Sequence, residues 1–212
     1  MTKIYLIRHA ETKANSRNVI QGWRNTRLSE RGKLQVEALA RRFAAVEIDA
    51  VYSSDLLRAK ASAEPIAKLK GLPLRLDRNL REINMGLWAG RSWNDLVKND
   101  HERIVLFETM SPEWGGPEGE SFGEARARIC GALREIAERH RGQSVAVVSH
   151  GAVIRQALAA TKGLSIQETK SEILGPNTCV ALLEFDGDAF RIVFQSDVSH
   201  LGAMEAAASI CP

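Results

Sequence analysis

The spacing of apolar positions changes from segment to segment along the chain. Ile4–Ile7 is a short apolar run after Lys3. From Leu28 to Val46 the period is helical, with Val36, Leu39, Phe43 and Val46 on one face and Ser29 placed to cap it. Ile48-Asp49-Ala50-Val51-Tyr52 is again short and strand-like. Asp55 opens a second helical stretch that ends at Gly71, with Pro73 beyond. Pro65 inside that stretch predicts a kink or a fresh helix start. Ser121 and Glu124 form a capping box ahead of an amphipathic helix whose apolar face is Phe122, Ala125, Ile129, Leu133 and Ile136. Gly142 ends it. Ser144–Val148 reads as a fully buried strand, and a helix from about Ala152 to Thr161 is stopped by Gly163. Cys179–Phe185 and Phe190–Phe194 flank Asp186-Gly187-Asp188, a hairpin signal.

Alternating strands and helices imply an α/β fold with a mainly parallel sheet. No linker, repeat or low-complexity tract divides the chain, so residues 1–212 are expected to form one domain. Residues 84–120 break the alternation and hold three of the four tryptophans. They are expected to be an irregular excursion that roofs a site. With 44% hydrophobic and 26% charged residues, wholesale disorder is excluded. The net charge of +3 lacks the concentration typical of a nucleic-acid binder. Cys130, Cys179 and Cys211 are odd in number and far apart, which suggests free thiols in a reducing compartment. Arg8 interrupts the first apolar run too early for a signal peptide or a membrane span. A cytoplasmic protein is therefore expected, with no membrane or nucleic-acid partner; a homodimer is left open.

Ligands of open α/β sheets bind beyond the carboxyl ends of the strands. The first strand ends in Arg8-His9, the second in Ser53-Ser54-Asp55 with Arg58 one turn on, and the buried strand in Ser149-His150-Gly151. Two histidines, two arginines and a helix start suited to an anion are thus delivered to one edge. Arginine forks match phosphate oxygens, and a neutral imidazole is a nucleophile. Glu82 precedes Ile83-Asn84-Met85-Gly86-Leu87-Trp88, and a carboxyl in apolar surroundings can serve as a general acid. Arg-His recurs at Arg139-His140, in a last helical turn where cations are favoured anyway, so the dipeptide alone carries no function.

The segments LIRHAETKANS, QGWRNTRLSERG, VYSSDLLRA, LREINMGLWAG, GGPEGES and VVSHGAVIR occur in this order. Together they resemble the histidine phosphatase superfamily, branch 1, the phosphoglycerate-mutase-like type, from residue 4 to about residue 200. The resemblance implies a three-layer α/β/α sandwich and a metal-independent phosphomonoesterase of the phosphoric monoester hydrolase class. It assigns His9 as the nucleophile that becomes a phosphohistidine, Arg8, Arg58 and His150 as phosphoryl ligands, and Glu82 as the proton donor. Asn15 and Gly151 match phosphate-pocket positions, and Gln21 and Gly22 the substrate-side loop. No metal and no cofactor is implied. The partner is a small phosphorylated metabolite, with phosphate or sulfate able to occupy the pocket. Ala10 stands where the family usually has glycine.

Two alternatives accompany this reading: a phosphoglycerate-mutase-type phosphoryl transfer, and a non-catalytic phosphoester-binding protein. Residues 83–120 carry three basic and seven acidic side chains, poorly suited to a second phosphate, which favours hydrolysis over mutase chemistry. Trp88, Trp93, Met85 and Trp114 are expected to be core of the roof, with contact to a flat leaving group as the other option. His101 is expected to be solvated and His200 to pack in the tail.

Overall fold

Strand β1 (Thr2–Arg8) lies inside the sheet because alternate side chains are apolar towards both faces. Ile4 and Leu6 join the core on one side, and Ile7 the core on the other. The computed structural model describes residues 1–202. Cys211 therefore lies outside the described residues, whereas Cys130 and Cys179 are free thiols.

Helix α1 (Glu30–Ala44) starts where the sequence places its cap, with the Ser29 hydroxyl accepting from the Gly32 amide. It is followed by β2 (Ala50–Ser53), α2 (Leu57–Lys70) and β3 (Leu74–Leu76). Helix α2 runs through Pro65 without a break, so a fresh start there is not what the chain does. Ala59, Ala63, Ile66 and Ala67 hold this helix against the sheet. Packing of that face outweighs the hydrogen bond that Pro65 removes. Strand β3 had no signal beyond Pro73: it is three residues long, at the sheet edge and largely exposed.

Residues 84–120 depart from the expected irregular excursion. They contain α3 (Trp93–Asn99) and α4 (His101–Glu108). Trp88 and Trp114 are fully buried and stack on Phe107 and Phe122. Met85 is buried in the same cluster and Trp93 packs against it, so these side chains are core. The two helices escape the periodic reading because each is about two turns long, too short for a clear stripe.

Helix α5 (Phe122–Arg139) forms with its reciprocal capping box, and its five expected apolar residues are all buried. Strand β4 (Ser144–Ser149), α6 (Gly151–Thr161), β5 (Val180–Phe185) and β6 (Phe190–Asp197) complete the fold. The sheet order is β3-β2-β4-β1-β5-β6. The first four of these strands pair in parallel, and β5 and β6 are antiparallel. Helices α1 and α2 cover one face, α5 and α6 the other, which gives the α/β/α sandwich.

The chain between β1 and α1 folds back tightly on α1. A Cβ built on Gly32 would lie 2.0 Å from the Glu11 carbonyl oxygen. Helix propensity favours alanine there by about 1 kcal/mol, but this close approach is to backbone that leads directly from His9. Gly32→Ala should lower unfolding stability by about 1–3 kcal/mol, as overpacking does. Urea unfolding checks this, and a gain in stability would show that the loop yields freely.

Candidate active site

Four of the expected residues stand at the carboxyl ends of three adjacent parallel strands. Arg8 ends β1 and His9 follows it; Arg58 is the second residue of α2; His150 links β4 to α6. All four are buried, with Arg58 and His150 at 1% and 0% exposure. The His9 and His150 rings lie 5.2 Å apart between centroids.

The hydrogen bonds assign the two rings opposite tautomers. Nδ1 of His9 lies 2.7 Å from the Ala10 carbonyl oxygen, which can only accept, so Nδ1 carries the proton and Nε2 a lone pair. Nε of Arg58 donates to Nδ1 of His150 at 3.1 Å, so His150 carries its proton on Nε2. That Nε2–H is buried without a partner, as is Nε of Arg8. Leaving such donors unpaired costs about 1–3 kcal/mol each. The arrangement suits an anionic acceptor.

Other bonds hold the arginines in place. Arg8 donates from Nη1 to the Gly175 carbonyl, and Arg58 from its terminal nitrogens to the carbonyls of Gly22 and Arg24. A Cβ on Gly151 would come 3.3 Å from Nε of Arg8, so glycine lets the start of α6 approach the guanidinium. Burial, followed by the charges of Arg58 and Arg8, keeps the His9 imidazole well below its ordinary value of 6.5. Burial and Arg58 act the same way on His150. Burial pulls Arg58 itself down to about 10, against the charge of Glu82.

Glu82 is not in apolar surroundings. Its carboxylate accepts from the backbone amides of Ile83, Ala152 and Val153, and so sits on the N-terminal turn of α6. Of the apolar residues that follow it in sequence, Ile83, Met85 and Trp88 turn instead into the core, and Leu87 is exposed. Asn15 and Gln21 meet through Thr12, whose hydroxyl bridges their side-chain oxygens. Gly22 adopts φ +49°, and a Cβ there would lie 3.0 Å from the Met85 backbone and side chain. Ala10 is fully buried, and its amide donates to Ser62, whose hydroxyl donates to the Arg58 carbonyl.

The structure adds residues that sequence reasoning passed over. Asn177 donates to the His9 carbonyl, and the Thr178 amide to the carbonyl of Arg8. The Trp23 indole donates to the Glu82 carbonyl, and the Arg81 guanidinium lies 4.8 Å over the Trp23 ring while pairing with Asp55. Arg128 and Glu120 flank Glu82 as an ion pair. A faint signal existed for Arg128, an arginine beside the apolar stripe of α5. His140 caps α5 and bonds Tyr52, His101 is exposed, and His200 bonds Thr178 and Arg42 within the tail. Among the described residues, no three His, Cys, Asp or Glu side chains gather as a metal-ligand set.

Comparison with known proteins gives a consistent answer. The family model described as histidine phosphatase superfamily (branch 1) matches residues 4–198. Phosphoglycerate mutase-like protein 4 of Arabidopsis thaliana is 35% identical over 202 residues, 94% of this chain and 86% of that protein. A metal-independent phosphoserine phosphatase of the same plant is 35% identical over 209 residues, 96% of this chain and 85% of that protein. The solved structure of YhfR from Bacillus stearothermophilus superposes with a TM-score of 0.91 at 33% identity, covering 95% of this chain and 100% of that one.

The depressed histidines make a pH prediction. Unfolded imidazoles take up protons near the ordinary value of 6.5, whereas folded His9 and His150 refuse them until well below it. His200, lowered to about 4 by burial, adds to the same window. The unfolded state therefore binds more protons as pH falls below that value, and folding stability drops. The unfolding free energy from urea titrations should fall steadily from about pH 7 to about pH 5, by up to about 1.4 kcal/mol per pH unit for each of His9 and His150 and by less for the more exposed His200. A flat profile over that range would contradict the burial argument.

Proposed function

The chain belongs to branch 1 of the histidine phosphatase superfamily, and from that membership we propose a phosphomonoesterase in which His9 is the nucleophile. The observation that carries the reading is the opposite protonation of two adjacent buried imidazoles. His9 offers an electron pair on Nε2, while His150 offers an unpartnered N–H.

In this reading Nε2 of His9 attacks phosphorus, and the bond from phosphorus to the ester oxygen breaks. Arg8, Arg58, Nε2–H of His150 and the amides at Gly151 hold the oxygens on which charge accumulates. Glu82 gives a proton to the leaving oxygen, and the alcohol departs. A monoester bound as its monoanion brings that proton with it, since the second ionisation lies near pH 6. Water then attacks the phosphohistidine, Glu82 takes its proton, the phosphorus–nitrogen bond breaks and phosphate leaves. Asn15, Gln21 and Gly22 border the substrate. Residues 84–120 roof the pocket. Support for the roof comes from the bonds of Ile20 with Gly90 and Arg91 and of Arg24 with Ala89, which fasten that segment to the loop carrying Gln21 and Gly22.

The substrate is a small phosphorylated metabolite. Phosphoserine appears in the names of several relatives, the plant phosphatase among them; phosphoglycerate derivatives, sugar phosphates and α-ribazole phosphate are the other candidates for the panel. The acidic balance of residues 83–120 supports hydrolysis over transfer to a second phosphorylated acceptor.

Phosphate release from this panel in the presence of EDTA tests the reading. His9→Ala should abolish release, and quenching of the wild type in alkali, where the phosphorus–nitrogen bond survives, should trap label on His9 when labelled substrate is used. Full activity in His9→Ala would sink the mechanism. Isomerisation of 3-phosphoglycerate without release would instead establish the mutase reading. Glu82→Gln should lower kcat/KM for alkyl phosphates by about 10²–10⁴, the usual contribution of a general acid. Substrates with good leaving groups should lose far less.

A further inference from the structure

Glu82 lies on a stretch with no regular secondary structure, between the short 3₁₀ turns Arg78–Leu80 and Gly86–Trp88. No ladder of backbone bonds holds a carboxylate placed there. The carboxylate itself rests on the amides of Ile83, Ala152 and Val153, and the main chain that carries it is held by the Trp23 indole and by a largely buried ion pair.

Arg128 on α5 has five N–H donors, and each has an acceptor. Two go to the two oxygens of Glu120, at 2.7 and 2.8 Å. The other three go to the backbone carbonyls of Asn79, Arg81 and Glu82, at 2.8, 2.9 and 3.1 Å. Glu120 completes the clamp from the far side. Its carboxylate accepts from the Asn84 amide at 2.8 Å, and its own amide donates to the Asn84 carbonyl. The main chain is thus gripped on both sides of residue 82. The pair is largely buried, with side-chain exposures of 15% and 17%. Glycines bring the partner loop close enough: a Cβ on Gly119 would lie 2.1 Å from the Asn84 carbonyl oxygen, and one on Gly86 would lie 1.8 Å from that of Pro117.

We infer that Arg128, braced by Glu120, is a positioning residue that aims the Glu82 carboxyl at the leaving-group oxygen. The inference rests on the reading of Glu82 as proton donor and assigns what sets its direction. The planar fork is essential to this role. Lysine keeps the charge but has three donors on one nitrogen, and cannot reach two carboxylate oxygens and three separate carbonyls. Arg128 touches neither the reacting phosphorus nor the ester oxygen in this scheme, and its effect passes through Glu82. The charge of Arg128 also bears on His150, as one of the cationic groups that keep that imidazole neutral.

The test is the dependence of kcat/KM on leaving group, since this ratio reports phosphoryl transfer to His9 and not the later hydrolysis common to all substrates. Wild type, Arg128→Lys, Arg128→Met, Glu120→Gln and Glu82→Gln would be compared on p-nitrophenyl phosphate and on a primary alkyl phosphate. Urea unfolding would establish that each variant is folded. Both Arg128 variants should lose about 10-fold to 100-fold on the alkyl phosphate, part of what a general acid supplies. They should stay within about 3-fold on p-nitrophenyl phosphate, whose leaving group needs no proton. Glu120→Gln should fall between these variants and wild type. Uniform loss on both substrates in folded Arg128 variants would reduce the clamp to a structural brace and overturn the inference. So would wild-type behaviour in Arg128→Lys. A steep leaving-group dependence in Glu82→Gln beside a flat one in Arg128→Met overturns the positioning role alone. A flat dependence in Glu82→Gln overturns the proton-donor reading and the inference with it.

Discussion

Burial of positive charge without a matching anion is the constraint on which the rest of the site depends. Arg8 and Arg58 are packed with His9 and His150 at the ends of three strands, and Glu82 is the carboxylate that acts on Arg58. A low-dielectric setting makes that arrangement costly unless an anion completes it. Much of the surrounding structure reads as a response to this. The guanidiniums are tied to backbone carbonyls of Gly175, Gly22 and Arg24, which spread their charge over neutral dipoles. The imidazoles stay neutral. Nε of Arg8 and Nε2–H of His150 are left unpaired, and in the proposed reaction a phosphoryl group would take them up. A protein optimised only for stability would have paired them.

The sequence discloses the parts of this arrangement that depend on strands. An apolar run followed at once by Arg-His or Ser-His-Gly can be read without coordinates, because strand ends and ligand sites coincide in such sheets. The second Arg-His is separated by the same reasoning, and His140 does cap a helix and bond Tyr52. Other features were hidden for identifiable reasons. Strand β3 is three largely exposed residues that pair in parallel with β2 alone, too short to show any period. Helices α3 and α4 bury their side chains around tryptophans rather than along a stripe. The surroundings of Glu82 could not be inferred from its neighbours in sequence. Ile83, Met85 and Trp88 after it turn into the core, while its own carboxylate meets amides about 70 positions away, at Ala152 and Val153. Arg128 illustrates the same limit. Its acceptors are mostly backbone carbonyls, which every residue possesses and no sequence pattern marks.

Glycine closes these distances. Gly32 lets α1 touch the loop after His9, Gly151 lets α6 approach Arg8, and Gly119 and Gly86 let two loops interlock beside Glu82. Each contact involves backbone on at least one side, so each fixes the chain path rather than a rotamer. His9, Glu82 and His150, the groups proposed to react or bind phosphoryl oxygens, sit in loops that these close approaches hold in place. This meets the need of a site whose groups must keep their geometry within a fraction of an ångström.

The choice of partner for His9 carries the last step of the argument. Many nucleophilic or basic histidines are oriented by a carboxylate on the far ring nitrogen, which stabilises the imidazolium form. Here the far nitrogen donates to the Ala10 carbonyl instead. The neutral acceptor fixes the tautomer and the ring direction, and its pull toward a second proton is outweighed by burial and the two arginines. That distinction matters because a protonated imidazole has no electron pair with which to attack phosphorus. Burial and the nearby guanidiniums then work in the same direction, and keep the ring neutral until an anion arrives. The same two arginines that depress His9 are those whose charge a phosphoryl group would offset. In the proposed reaction, binding of the anion and readiness of His9 to attack therefore draw on one set of charges. A carboxylate in place of the Ala10 carbonyl would set the two requirements against each other.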